Sequence, residues 1–446
     1  MRFTIYDLRF TRGTTVAALC LALAFAARAQ ETNGVHPIDL ATALRLAGAQ
    51  NLDVQLAREK LAEARANNEG ATWQLFPWLA PGFAYRGHDN RIQDVQGQII
   101  DVHRDSYELG GAFVARLDVG DAIYKKLAAR QLAKAAEHGV EAQRQETILA
   151  AATGYFDLAR AQAAVGVARE AARISTDYLE QVERAVEAGL AFKGDALRVR
   201  TQLERNRLTL RQAQEQQRLA GARLAQVLRL DSTVELLAKG DELTPLSLVS
   251  TNTTLGALVT QAFAARPELQ QSRAFVQAAT DARNGAVYGP LVPSVGAQVF
   301  AGGLGGGNET SSRSLGESED YLVTLGWRIG PGGLFDRSRV HAADARLRTA
   351  QLTGDKLRDE ITRQVVDGLT RAQSSADQLA VTRRGVAAAE EAFRLARERR
   401  EFGVAVVLET IQAEQDLTRL RSDYANIVGE FNKAQYLLLR AVGGVR

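Results

Sequence analysis

The chain has one cysteine, one methionine and only 8 prolines among 446 residues. Its cysteine, Cys20, lies in an apolar run near the N-terminus. The rest of the chain therefore has no disulfide, no cysteine-ligated metal and no cysteine nucleophile. Scarce proline and abundant alanine suit long helices. After that first run no uninterrupted apolar stretch reaches the roughly eighteen residues a membrane helix needs, which does not exclude strands that cross a membrane. The five histidines (His36, His88, His103, His138 and His341) form no close ligand pair, although His88 and His103 share one polar segment. The glycine-rich run at 302–307 is not followed by the Lys-Ser/Thr of a phosphate-binding loop. There is no local serine-nucleophile motif, and the carboxylates are scattered along helices as solvated faces. The expectation is a protein without cofactor, metal or catalytic site, and not an enzyme.

Arg2, Arg9 and Arg12 precede an apolar segment from Thr14 to Phe25, and Ala27-Arg28-Ala29 follows. A basic start, a short apolar run and a small-x-small site read as a secretory signal peptide over residues 1–29. Acylation of Cys20 is not expected, because Leu19 stands where a lipoprotein signal needs a small residue. Removing the leader's four arginines and one aspartate takes the 55 basic and 52 acidic residues to 51 of each. A neutral chain offers no charge for nucleic acid.

The sequence is written twice. Shifted by 214 residues, Ala188-Gly189-Leu190 falls on Phe402-Gly403-Val404, and Asp195 falls on Glu409. Leu203, Leu210 and Leu224 fall on Leu417, Tyr424 and Leu438. Earlier in each half Leu75-Phe76-Pro77 matches Leu291-Val292-Pro293. The spacing predicts a first repeat over 30–240, a linker at 241–252 and a second repeat over 253–446. Each repeat reads as a helix (40–75; 255–287), two strands, a helix of nearly seventy residues (121–188; 334–402), a glycine turn and a helix of about 35 residues. At 1.5 Å per residue the long helices run about 100 Å, so they must lie beside other helices throughout. The last helix of each repeat keeps a 3-4 spacing that predicts coiled-coil packing, weakened in the first repeat by Asn206 and Gln217.

Strands are expected at about 77–86, 107–119, 293–302 and 320–330. Tyr107, Leu109, Phe113 and Leu117 alternate with Glu108, Arg116 and Asp118; Tyr321, Val323, Leu325 and Trp327 alternate with Asp320, Thr324 and Arg328. Leu322 breaks the second pattern. Period-two alternation over ten or so residues is the length a tilted barrel strand needs to cross a bilayer. All three tryptophans (Trp73, Trp78 and Trp327) sit in or beside these segments, where Tyr107 and Tyr321 join them as candidate aromatics of the lipid–water boundary. The segments 88–105 and 303–318 read as exposed polar loops. Four strands cannot close a barrel, and open edges in lipid leave unpaired backbone groups costing on the order of several kcal/mol each. Copies of the chain must therefore share one wall.

This duplicated order resembles the TolC family of outer-membrane efflux proteins, and the glycine followed six residues later by an acid (Gly189…Asp195, Gly403…Glu409) resembles that family's most recognisable motif. The fold class implied is mainly α with a small membrane β part: a long α-helical coiled-coil barrel, with four strands per chain contributing to a twelve-stranded barrel of a homotrimer. The resemblance also implies a cell outer membrane of a Gram-negative bacterium, a periplasmic membrane-fusion adaptor, and an inner-membrane pump of RND, ABC or MFS type. Gly189, Leu190, Gly403 and Val404 would then mark the periplasmic tip where the adaptor docks. Two positions depart from the family. Gln412 stands where many members have an aspartate facing the lumen, and Ala405 stands where some have a latching arginine. Asp195 and Glu409 sit where an acid favours a helix start, and would also hold the tip closed. The function expected is the exit duct of a tripartite efflux system. Alternatives are the duct of a type I protein-secretion system, or a periplasmic coiled-coil protein, which would have no membrane strands.

Overall fold

The structure, a computed structural model, describes residues 36–76, 78–231, 234–240, 243–308, 315–401 and 407–444. The expected signal peptide, Cys20, Pro77 and the second turn at Gly403, Val404 and Ala405 lie outside the described residues.

The helices are α1 (Leu40–Gln50), α2 (Leu52–Trp73), α3 (Val119–Glu187), α4 (Lys193–Leu228), α5 (Leu255–Ala265), α6 (Pro267–Tyr288), α7 (Arg337–Glu401) and α8 (Val407–Ala441). The strands are β1 (His36–Ile38), β2 (Trp78–Gln93), β3 (Ile99–Leu117), β4 (Leu236–Ala238), β5 (Ser294–Asn308) and β6 (Gly316–Gly326). Two corrections concern the first helix of each repeat, expected as one piece. Asn51 turns to ψ 139° and its Oδ1 accepts the Asp53 N–H at 2.8 Å, so it ends α1 and caps α2. Arg266 turns to ψ 126° before Pro267, which excludes helical geometry at its predecessor and starts α6. The long helices have 69 and 65 residues, close to expectation.

Side by side, α3 and α7 each run the full length, while shorter helices fill the space beside them end to end. On one flank of α3 lie α2 and then α4. Lys126 of α3 reaches Asn68 and Thr72 of α2, and Gly154 lets α3 approach Leu224 of α4. Between α3 and α7 lie α6 and then α8. Arg283 of α6 meets Asp344 of α7 at 3.0 Å, and Lys433 of α8 meets Asp157 of α3 at 2.8 Å. Alanines and glycines at these seams (Ala151, Ala152, Ala225, Ala372 and Ala434, all buried) allow the close approach. Where strands become helices, Gly120 backs onto Gly289, and Arg339 pairs with Asp121 at 2.6 Å.

Midway, β1 pairs in parallel with β4, a contact the sequence did not suggest. Nearby, residues 243–254 form no helix or strand yet are strapped to α8. Asn432 Oδ1 accepts the Leu246 N–H at 2.7 Å, and Gln435 Oε1 accepts those of Leu248 and Val249 at 3.0 and 2.9 Å. Both side chains are fully buried. The coiled-coil seam positions of α4 and α8 are buried or half-buried throughout.

Candidate functional site

The strands form one antiparallel sheet in the order β2-β3-β5-β6, open at β2 and at β6. Its register joins the alternation of single strands into two faces. On one face Leu79 lies opposite Phe113, which lies opposite Val299, which lies opposite Tyr321. The next rows on that face are Phe83 with Leu109, and Leu117 with Val295 and Leu325. These side chains are exposed: Tyr321 at 70%, Val323 at 78% and Leu325 at 67%. Along β3 the band from Tyr107 to Leu117 spans about 33 Å, or about 25 Å when tilted, the height of a barrel's lipid-facing belt, while on β6 it stops at Tyr321, because Glu317 and Glu319 share that parity. The other face carries Ala80, Gly82, Ala84, Ala112, Gln298 and Thr324. There the Phe300 ring lies over Gly110 and Gly302, where a Cβ would collide with it, and is 8% exposed. On the apolar face Tyr107 covers Gly305 in the same way. Small and polar residues thus predominate on one side of the sheet, with Trp78, Val114, Phe300, Leu304 and Leu322 among them, and apolar residues predominate on the other.

Two loops expected from the sequence are extended. β2 and β3 remain paired from Arg86–Ser106 out to Gln93–Ile99, and only 94–98 turns. Asp94 Oδ1 accepts the N–H groups of Gln96 and Gln98, and Gly97 takes φ 85°. Likewise 303–308 and 316–318 belong to β5 and β6, and β6 ends at Gly326, before the expected 330. His88 stands opposite Arg104 while His103 stands opposite Asp89, so adjacent parity puts the two histidines on opposite faces. No group able to hold a metal is found among the described residues.

The aromatics take different places. Trp73 ends α2 with its ring 5.4 Å from Phe76, and Trp78 opens β2 on the parity of Val114 and Gln298. Tyr107 and Tyr321 lie on the apolar face, the Tyr321 hydroxyl donating to Glu319 at 2.6 Å. Trp327 follows β6 and donates its Nε1–H to the Leu291 carbonyl at 3.1 Å.

At the far end of α3 the turn is built by Gly189 at φ 74°, a backbone that glycine adopts without a Cβ clash. Leu190 N–H returns to the Ala185 carbonyl at 2.8 Å and Gly189 N–H to Val186 at 3.0 Å, a Schellman cap. Leu190 (84%) and Phe192 (76%) are left in solvent. Asp195 lies in the first turn of α4, 3.3 Å from Arg198, and Glu409 lies in the first turn of α8, 2.7 Å from Arg399 of α7. Glu183 and Arg200 join α3 to α4 at 2.5 Å. Gln412 is exposed.

Further from the tip lies a polar layer that the sequence presented only as a weak seam. Asn206 Nδ2 donates to the Ala171 carbonyl, to Ser175 Oγ at 2.7 Å and to Glu414 Oε1 at 3.2 Å. Gln202 Nε2 donates to Asn206 Oδ1, and Gln415 Nε2 donates to Gln202 Oε1 at 2.6 Å. Glu414 is 4% exposed, and burial raises its carboxyl above the ordinary value against the hydrogen bonds from Asn206 and Thr418. The layer joins α3, α4 and α8, so the two tip hairpins are held together by polar bonds. The 3-4 spacing marked Asn206 as an interruption; its partner 208 residues away had no local signal.

Residues 258–444 match the family described as outer membrane efflux protein. No curated protein matches the chain in sequence. Among solved structures, a membrane protein from Pseudomonas aeruginosa superposes with TM-score 0.78 at 20% identity, over 91% of this chain and 93% of that one. The CmeC outer membrane channel of Campylobacter jejuni gives 0.78 at 16% identity, over 91% and 85%. The outer membrane protein VceC of Vibrio cholerae gives 0.75 at 20% identity, over 91% and 96%. At these identities the likeness is one of fold.

Proposed function

We propose that this chain, which carries an outer membrane efflux protein domain over residues 258–444, is the outer-membrane exit duct of a tripartite efflux system. The observation that carries the reading is the exposed apolar face of a sheet with two open edges. In lipid, every second residue of β2 and of β6 would present unpaired backbone groups. Pairing β6 of one copy with β2 of the next removes both edges. Two copies give a small barrel filled by side chains, and three give twelve strands around a lumen. The helices support the same closure. The end layers α2/α4 and α7 each expose leucines, among them Leu56, Leu208, Leu352 and Leu395, at the flanks a neighbouring copy would cover. No helix among the described residues is long and apolar enough to cross a membrane, so the sheet alone would do so.

A homotrimer of this kind is a passive conduit, with no catalytic site, from the outer surface to a tip about 100 Å below the sheet. Small-molecule substrates would enter there from an inner-membrane pump of RND, ABC or MFS type. A periplasmic membrane-fusion adaptor would dock at the turns containing Gly189, Leu190, Gly403 and Val404 and open the tip. Asp195 and Glu409 would help to hold it closed. The test is cell fractionation with unheated gel electrophoresis, followed by planar-bilayer recording. An outer-membrane, detergent-resistant trimer that conducts ions is expected; a water-soluble monomer with its hairpins folded onto its own helices sinks the proposal.

A further inference from the structure

Beyond the level of Tyr85 and Tyr107, the β2–β3 ribbon continues for about 26 Å, and it sorts its charges by face. On the side that continues the apolar face, Asp89 meets His103 at 3.0 Å and Arg91 meets Asp101 at 3.5 Å. Asp105 shares that parity. On the side that continues the small-residue face stand Arg86, opposite Ser106, and Arg104, opposite His88. Both arginines are exposed, and neither has an ion-pair partner among the described residues. The acids of that face lie further in: Glu108 opposite Ala84, and Asp320 opposite Phe300. The acids of the paired ribbon, Asp89, Asp101 and Asp105, share the outward parity, and Arg86 and Arg104 share the inward one. A strand's period of two makes this division a property of the register, since a slip of one residue would reverse it.

We propose that Arg86 and Arg104 form an anion-attracting collar at the exit mouth, two guanidinium groups per chain and six in a trimer, which draws carboxylated, phosphorylated or sulfonated solutes outward and holds back cations. The collar rests on the duct reading, because only a closed barrel turns the small-residue face into a lumen. Like charges confined around a mouth raise the local concentration of counter-ions by about tenfold or more. Their reach is about 8 Å at physiological salt.

The test uses the full-length trimer in a neutral phosphatidylcholine bilayer at low salt, with inositol hexakisphosphate and hexamminecobalt as probes. Added on the side of the strand hairpins, the polyphosphate should reduce the current and the cobalt complex should not. The double variant Arg86→Gln/Arg104→Gln should need about tenfold more polyphosphate for half block. From the helical side, the variant and the wild type should respond alike. Ser106→Glu, which sets a carboxylate opposite Arg86, should weaken the block in the same direction and serves where the double variant does not assemble. Polyphosphate block unchanged in both variants, or stronger block by the cobalt complex from the strand side, overturns the collar. A wild-type trimer without current overturns the duct itself.

Discussion

Glu414 is buried beside Asn206 and Thr418 with neutral donors and no cation among the described residues. Its carboxyl is raised by burial, so the folded protein holds the proton more tightly than the unfolded chain. The penalty for ionising it grows as pH climbs from the ordinary carboxylate value to the raised one, and then stays constant. Even after relaxation such a penalty is on the order of a few kcal/mol. Glu414→Gln keeps the acceptor for Asn206 and removes the charge. Thermal unfolding should therefore show a variant more stable than wild type at pH 8, with the gain shrinking toward pH 4. A gain that is equal at both pH values would mean the carboxylate is hydrated. The tip acids differ. Asp195–Arg198 and Glu409–Arg399 are solvated pairs, worth about 1 kcal/mol or less. Asp195→Ala and Glu409→Ala should leave assembly intact, and single-channel current tells their role. Increased conductance is expected if they hold the tip; unchanged current reduces them to helix-start residues.

At the scale of elements, the two faces of β6 predict opposite outcomes for neighbouring positions. Val323 points to the proposed lipid side and Thr324 to the lumen side, because Val323 lies opposite Ala297 and Thr324 opposite Gly296. An arginine on the lipid face costs about 2–4 kcal/mol near the bilayer centre. Val323→Arg should therefore reduce the heat-sensitive oligomer expected on unheated gels, while Thr324→Arg should assemble and alter conductance only. Equal loss in both would mean that the sheet does not sit in lipid as proposed. The same elements show what the sequence made legible. Alternation from Tyr107 to Leu117 and from Tyr321 to Leu325 is visible because exposed apolar residues on one face and small or polar ones on the other impose it. The ribbon from His88 to Gln93 reads as loop in the sequence because water on both sides imposes no apolar alternation, and hydrogen bonding to 99–104 leaves no mark on composition. Helix breaks at Asn51 and Arg266 carried local signals, a capping asparagine and a following proline, that the longer apolar periodicity masked.

At the scale of the molecule, the duplication showed both repeats and their order, yet each repeat is incomplete alone. The layers run α2/α4, α3, α6/α8, α7, so the two repeats stand side by side and meet where α3 packs on α6 and α8. That junction depends on pairs more than two hundred residues apart, such as Asn206 with Glu414 and Asp121 with Arg339, and no local pattern announces them. The same long reach explains why the polar layer near the tip was unreadable in advance while the heptads of α8 were plain.

The strap at 243–249 has a consequence for how this protein would look in solution. Amide hydrogens of Leu246, Leu248 and Val249 end on side chains with no solvent contact. A stretch that contributes nothing to a helical circular-dichroism signal should nonetheless exchange with deuterium as slowly as the rods it crosses. Gln435→Ala should release the amides at 248 and 249 by orders of magnitude in rate while those at the middle of α3 stay shut. The seam between the two copies of the repeat would then be seen as a fastened clasp and not as a slack tether.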